Sequence, residues 1–243
     1  ENPHIRISKL TVENLFEAAF NSPTNSRPIP NLSFAINYYL NGYNVAGYRI
    51  VNIFIHLMTG VLLYYLIKTT LSLPGARHRI NAMHWVPFYA AFLWIVHPLH
   101  TQSVTYIVQR MNSMAAMFYI LALLLYAKGR LSDNRKWGVL LYVACTLSGL
   151  MALGSKQIAA TLPLMIFLYE WYFFRDLDFG WAKQNVRRFF VPLTLFAVIG
   201  LFYLGFDPLD RILRGYARRD FTIEQRLLTE LRVVVFYLSL IVF

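Results

Sequence analysis

Charge is what this chain has least of. Only 14% of its 243 residues are Asp, Glu, Lys or Arg, against about a quarter in an ordinary soluble domain. Hydrophobic residues make up 57% and are gathered in blocks. That pattern excludes a water-soluble globule and implies an all-α polytopic membrane protein. Cysteine is nearly absent: Cys145 stands alone inside an apolar run, which permits no disulfide within the chain. Acidic residues are few, 12 against 23 basic ones, leaving a formal charge of +11. In a soluble protein that excess would suggest nucleic acid. Here the cations cluster in loops between apolar runs, so the expected partner is anionic lipid and not nucleic acid. No internal repeat and no low-complexity tract interrupts the pattern.

About seven apolar runs are present, at 48–67, 85–96, 114–127, 137–153, 158–174, 190–206 and 228–243. Several fall short of the roughly 20 residues that cross a ~30 Å hydrocarbon core. The run ending at His97 covers only about 20 Å as a helix, which predicts a recess holding His97 and His100. Lys68, Arg77 and Arg79 follow the first run, Lys128, Arg130, Arg135 and Lys136 the third, and Arg175, Lys183, Arg187 and Arg188 the fifth. The intervening loops offer only Arg110 and Lys156. The basic loops are therefore expected in the cytoplasm and the Arg110 and Lys156 loops outside. The last outward loop, 207–226, departs from this with five arginines. Its amphipathic stretch at 209–219 suits either a seat on anionic lipid or the entrance to an anionic-lipid site.

This topology places residues 1–47 outside as a first loop and residues 48–243 in the bundle. Two short amphipathic helices at the outer interface are expected in the loop. The first carries Leu10, Val12, Leu15, Phe16 and Phe20 opposite Glu13 and Glu17, and the second lies within 29–40. With no initiator Met and no signal peptide, the chain is expected to be the middle of a longer protein, with at least one span before it.

Polar groups at membrane depth mark candidate chemistry. The stretch from His97 to Asn112 lies between two uncharged runs. His97 and His100 suit a metal site or a general base, or else a proline bend whose freed carbonyls they satisfy. A divalent metal is not supported, because no neighbouring carboxylate or Cys completes a ligand set. If the chain resumes as one helix at Thr101, Gln102, Thr105, Gln109 and Asn112 share a face. Arg110 borders it and suits either snorkelling or a bidentate grip on phosphate. Lys156, in the turn Gly154-Ser-Lys-Gln157, poses the same choice. Lying on one side of the membrane, Arg110 and Lys156 are expected to share one phosphate. The small Gly154 and Ser155 would let a substrate approach. The outward carboxylates Glu1, Glu13, Glu17, Asp207, Asp210, Asp220 and Glu224 show no paired spacing, so no catalytic base is assigned.

Four segments then carry a resemblance: Arg27-Pro-Ile-Pro-Asn-Leu-Ser-Phe-Ala-Ile-Asn-Tyr-Tyr-Leu, Gly47-Tyr-Arg-Ile-Val-Asn-Ile-Phe-Ile-His56, His97-Pro-Leu-His-Thr-Gln-Ser-Val, and Gly154-Ser-Lys-Gln. Together they resemble the membrane half of the transmembrane-and-tetratricopeptide-repeat O-mannosyltransferases and their bacterial relatives. The resemblance implies a GT-C-like bundle and a glycosyltransferase. It would move a sugar, such as mannose, from a polyprenyl-phosphate carrier to a protein or glycan acceptor on the outer face, in a bacterial inner membrane. It implies lipid-phosphate binding by Arg110 and Lys156, and a pocket lined by Arg27, Gln102, Gln109, Asn112 and Gln157. His97 and His100 would help, an acidic pair would precede Glu1, and a repeat domain would follow the chain. No cofactor is implied. Two departures matter: Gln102 and Gln157 stand where Glu is expected, and an amide is neither base nor strong cation ligand. A noncatalytic GT-C-like scaffold or lipid-binding subunit is the alternative.

Overall fold

The computed structural model describes residues 2–24, 26–73, 85–186 and 221–242, and among them no strand occurs. Two compact units divide the chain, 1–193 and 194–243.

In the first unit, each helix begins and ends where its local chemistry directs. Helix α1, Val12–Phe20, starts at Thr11, whose hydroxyl accepts the Asn14 N–H at 3.3 Å. Helix α2, Pro28–Asn41, begins on proline and stops at Gly42, whose φ of +54° is open to a residue without Cβ. Helix α3, Val45–Leu71, is capped by Asn44. Helix α4, Val86–Val96, ends at His97 with ψ of 129°, because the following Pro98 disfavours helical backbone before it. Helices α1 and α2 lie where two short helices are expected within 1–47, and α4 is as short as its apolar run.

The stretch after His97 is not one helix. A 3-10 turn at Pro98–His100 leads into α5, Thr101–Thr105. Tyr106 is extended, and a second 3-10 turn, Ile107–Gln109, precedes α6, Arg110–Arg130. The expected common face of Gln102, Thr105, Gln109 and Asn112 is therefore broken at Tyr106. Helix α7, Arg135–Leu153, is started by Asn134, which accepts from the Lys136 and Trp137 N–H groups. A 3-10 turn at Gln157–Thr161, helix α8, Leu162–Tyr169, and a π turn, Glu170–Phe174, follow.

Helices α6 and α7 form an antiparallel hairpin, α3 packs along α6, and α4 packs along α3. Ala122, Leu123, Cys145 and Leu162 form the bundle core, with Leu66, Tyr119 and Ile166 around them. Small residues bring the helices close. A Cβ on Gly149 would come within 2.9 Å of the Leu162 side chain, and one on Gly60 would collide with Ile95. Helix α1 lies on α2 through Ile7, Ala18 and Ala35.

Among the described residues, three helices are long and apolar enough to cross a membrane: Val45–Leu71, Ile107–Arg130 and Arg135–Leu153. Their outer faces carry exposed Ile50, Phe54, Val61, Val139, Val143 and Leu147, an arrangement suited to lipid and not to water. The expected count of seven is not reached among the described residues. Val86–Val96 is too short, and 190–206 lies outside them. In the second unit, α9, Ile223–Val242, begins earlier than the apolar run at 228 and so takes in Glu224, Arg226, Glu230 and Arg232. Most of the arginine-rich 207–226 loop also lies outside the described residues.

Candidate functional site

The first turn of α6 holds three consecutive side chains, each tied to a different part of the fold. Arg110 is fully buried, at 0% exposure. Its Nε donates to Asn52 Oδ1 at 2.8 Å, and one terminal nitrogen donates to the Ser33 carbonyl and hydroxyl at 3.4 and 3.3 Å. The other donates to Asn37 Oδ1 at 2.7 Å and to the Tyr48 carbonyl at 3.0 Å. All five N–H donors of a guanidinium are thereby engaged, every one by a neutral acceptor. The Phe34 and Tyr48 rings cover it, at 4.5 and 5.5 Å from centroid to Cζ. Met111 comes next, and its sulfur receives an N–H of Arg27 at 2.9 Å. Asn112 follows, accepting from the Lys156 ammonium with Oδ1 and donating from Nδ2 to Gln109 Oε1.

Arg110 and Lys156 therefore do not meet. The guanidinium neither snorkels nor faces the cavity beside Lys156; α2, α3 and α6 enclose it. Arg27 is the cation near Lys156. Burial first, and then the Arg27 charge, hold the Lys156 amine below its ordinary pKa. Among the described residues neither cation is paired with a carboxylate. The turn bearing Lys156 is clasped by the start of α2. Ile29 N–H donates to the Gly154 carbonyl at 3.3 Å, and Gln157 Nε2 donates to Ser26 Oγ at 3.0 Å. A Cβ on Gly154 would lie 3.2 Å from Ile29 Cγ1, and Ser155 is buried, its hydroxyl on the Met151 carbonyl. Small residues here admit α2, not a substrate as expected.

A cavity of about 460 Å³ opens beside Lys156, and Arg27 is not part of its lining. Lys156 and Asn112 are among its polar lining residues, and Ala115, Ala116, Ile120, Ile158 and Ala159 form apolar walls. Tyr119 and Thr161, also in the lining, share a hydroxyl contact of 3.2 Å. A cation at the head of an apolar cleft suits a ligand with an anionic head and a greasy body.

The histidines gather elsewhere. His100 sits 4.4 Å from the Trp94 ring and 5.5 Å from His56, which stacks on Trp94 at 4.8 Å. His56 bonds the Ile95 carbonyl at 2.9 Å, and His97 Nδ1 accepts the Leu99 N–H at 3.3 Å. The carbonyl and amide released by the proline bend thus both find an imidazole. Of the four residues of this cluster, His56 and Trp94 were not expected. Among the described residues no three His, Cys, Asp or Glu side chains come together to hold a metal ion. Gln102 is exposed on α5, outside the cavity lining.

Ser33, Asn37 and Asn52 also escaped sequence reasoning. Their signal was present, since each stands between two apolar neighbours in its helix and is expensive to bury without a partner.

Comparison with known proteins finds similarity to protein O-mannosyl-transferases. The chain is 34% identical over 202 residues to a Caenorhabditis elegans protein O-mannosyl-transferase, F38B6.6, covering 83% of this chain and 25% of that protein. It is 30% identical over 200 residues to the human protein O-mannosyl-transferase TMTC2, covering 75% and 22%. With the Drosophila melanogaster protein O-mannosyl-transferase Tmtc1 it shares 33% identity over 139 residues, 57% and 15% of the two lengths. The chain thus spans a quarter or less of these relatives' length. No protein-family model matches it, and no solved structure does.

Proposed function

We propose that this chain is part of the membrane portion of a glycosyltransferase that moves a mannosyl group from a polyprenyl phosphate to a protein hydroxyl. The similarity to protein O-mannosyl-transferases supports the class of reaction. One observation carries the site: Lys156, with Arg27 nearby, heads an apolar cleft and has no carboxylate partner among the described residues. Two like charges held close repel, and a phosphate placed between them relieves that repulsion. As the glycosidic bond breaks, negative charge grows on the departing phosphate, where the two cations stabilise it. The walls of Ala115, Ala116, Ile120 and Ile158 receive the first part of the polyprenyl chain.

The basic loops at the other ends of the helices support an outward-facing cleft. Lys68, Lys128 and Arg130 all lie at those ends. His97 and His100 hold the bend that frames this side of the bundle.

The test is donor kinetics on the full-length protein in vesicles, with polyprenyl-phosphate mannose and an acceptor peptide. Each charge-assisted bond contributes about 1.5–3 kcal/mol, so Lys156→Met and Arg27→Met should each raise donor KM by roughly 10- to 150-fold. Unchanged KM in both variants would remove the site.

A second reading, a lipid-binding subunit without transfer, is favoured by the absence of any carboxylate among the described residues that line the cavity. It gives donor binding that depends on Lys156 with no transfer to any acceptor.

A further inference from the structure

We propose that Arg110 is a positioning residue: it holds α2 in one register on the bundle, so that Arg27 is presented to Lys156 at the mouth of the cavity. This rests on the reading of that cavity as the donor site.

Three observations carry it. First, Arg110 reaches α2 twice, at Ser33 and Asn37, and α3 twice, at Asn52 and the Tyr48 carbonyl, so one planar fork fixes both helices to the first turn of α6. Second, α2 begins at Pro28, directly after Arg27, and its first turn docks on Gly154. A slip of α2 would therefore withdraw Arg27 from Met111 and Ser26 from Gln157 together. Third, the arrangement is a poor choice for stability alone. An apolar side chain would fill the same space without burying a cation among neutral acceptors. The Asn37 amide also leaves its Nδ2 buried with no hydrogen-bond partner. What the arrangement provides is direction: the three hydrogen bonds to Ser33 and Asn37 accept one placement of α2, whereas a greasy contact tolerates several.

The opposing role, a direct grip on the donor phosphate, makes a different prediction at Asn37. A carboxylate there would compete with phosphate for the guanidinium, but it suits a pure clamp. It neutralises the buried cation and removes the unsatisfied Nδ2. Asn37→Asp, Arg110→Met and Lys156→Met are compared in full-length protein in vesicles, using polyprenyl-phosphate mannose as donor. Cysteine pairs at Ser26 and Gln157 in the Arg110 and Arg110→Met proteins are joined by a short bifunctional thiol reagent.

Asn37→Asp should leave donor KM within about twofold of the parent. Arg110→Met should lower linking at 26 and 157 by about tenfold and raise donor KM by a similar factor. Once the link is made, donor KM should return to that of the linked Arg110 protein. A raised KM in Asn37→Asp overturns the proposal, as does a linked Arg110→Met protein that stays impaired. If Arg110→Met does not accumulate, Asn37→Asp decides alone. If Lys156→Met leaves KM unchanged, the donor-site reading fails, while linking at 26 and 157 still reports whether Arg110 places α2.

Discussion

Arg110 Nε donates to Asn52 Oδ1 across 2.8 Å, and both residues are closed to solvent at 0% exposure. Asn52 also donates from Nδ2 to the Val104 carbonyl at 3.3 Å, so one amide steadies the buried cation and the end of α5. Asn52→Leu keeps the forked side-chain shape and deletes both bonds. Leaving a buried charged donor without its acceptor costs about 3 kcal/mol. Thermal unfolding in detergent should show the corresponding drop, and a parental Tm would mean that the guanidinium finds other acceptors.

The far end of α6 carries its own buried ion. Glu170, at 2% exposure, accepts from Arg130 at 2.9 and 3.0 Å, from Arg175 at 3.1 Å and from the Tyr126 hydroxyl at 3.0 Å. These bonds fasten the π turn to α6. Glu170→Gln leaves two guanidinium groups without their counter-charge and should destabilise the protein by about 3 kcal/mol. Donor KM should not change, because α6 separates this cluster from Asn112 by most of a helix about 30 Å long. A selective rise in KM would connect the two ends in a way the packing does not explain.

Ala116 lines the cavity yet is exposed, so enlarging it tests the cleft without disturbing the core. Ala116→Phe should raise donor KM about tenfold, while stability stays within about 0.5 kcal/mol. Shortened-chain donors separate lipid exclusion from a head-group effect: the defect should shrink as the polyprenyl tail is trimmed. An equal defect with every tail would place the chain elsewhere.

Acid should loosen the bend. Burial first, and then the charges of His56 and His97, hold the His100 imidazole below its ordinary value of 6.5. The unfolded chain therefore takes up a proton near pH 6.5 that the folded one refuses. Stability is full above that pH and falls as the pH drops below it toward the lower folded pKa. His100→Gln should flatten this part of the stability profile in detergent. The same slope in the variant would assign the effect to another group.

The local features were legible. Thr11, Asn44 and Asn134 cap helices where polar residues precede apolar runs, Gly42 stops α2, and Pro98 ends α4. The break at Tyr106 was not legible, because polar spacing alone suits either one helix or two short turns. Nor was the partner of Lys156. Arg110 shares its side of the chain in any topology drawing, while Arg27 lies in a loop whose placement depends on how α2 docks.

Composition and the spacing of apolar residues determined by themselves that this is a helical membrane protein. Those properties follow from backbone hydrogen bonding in lipid and from contacts a turn or less apart. Only tertiary structure decided that Arg110 is sealed among Ser33, Asn37 and Asn52, and that Arg27 is the cation presented to Lys156. A guanidinium's partners are set by which helices pack around it, and that packing joins residues whose distance along the chain carries no record of the contact.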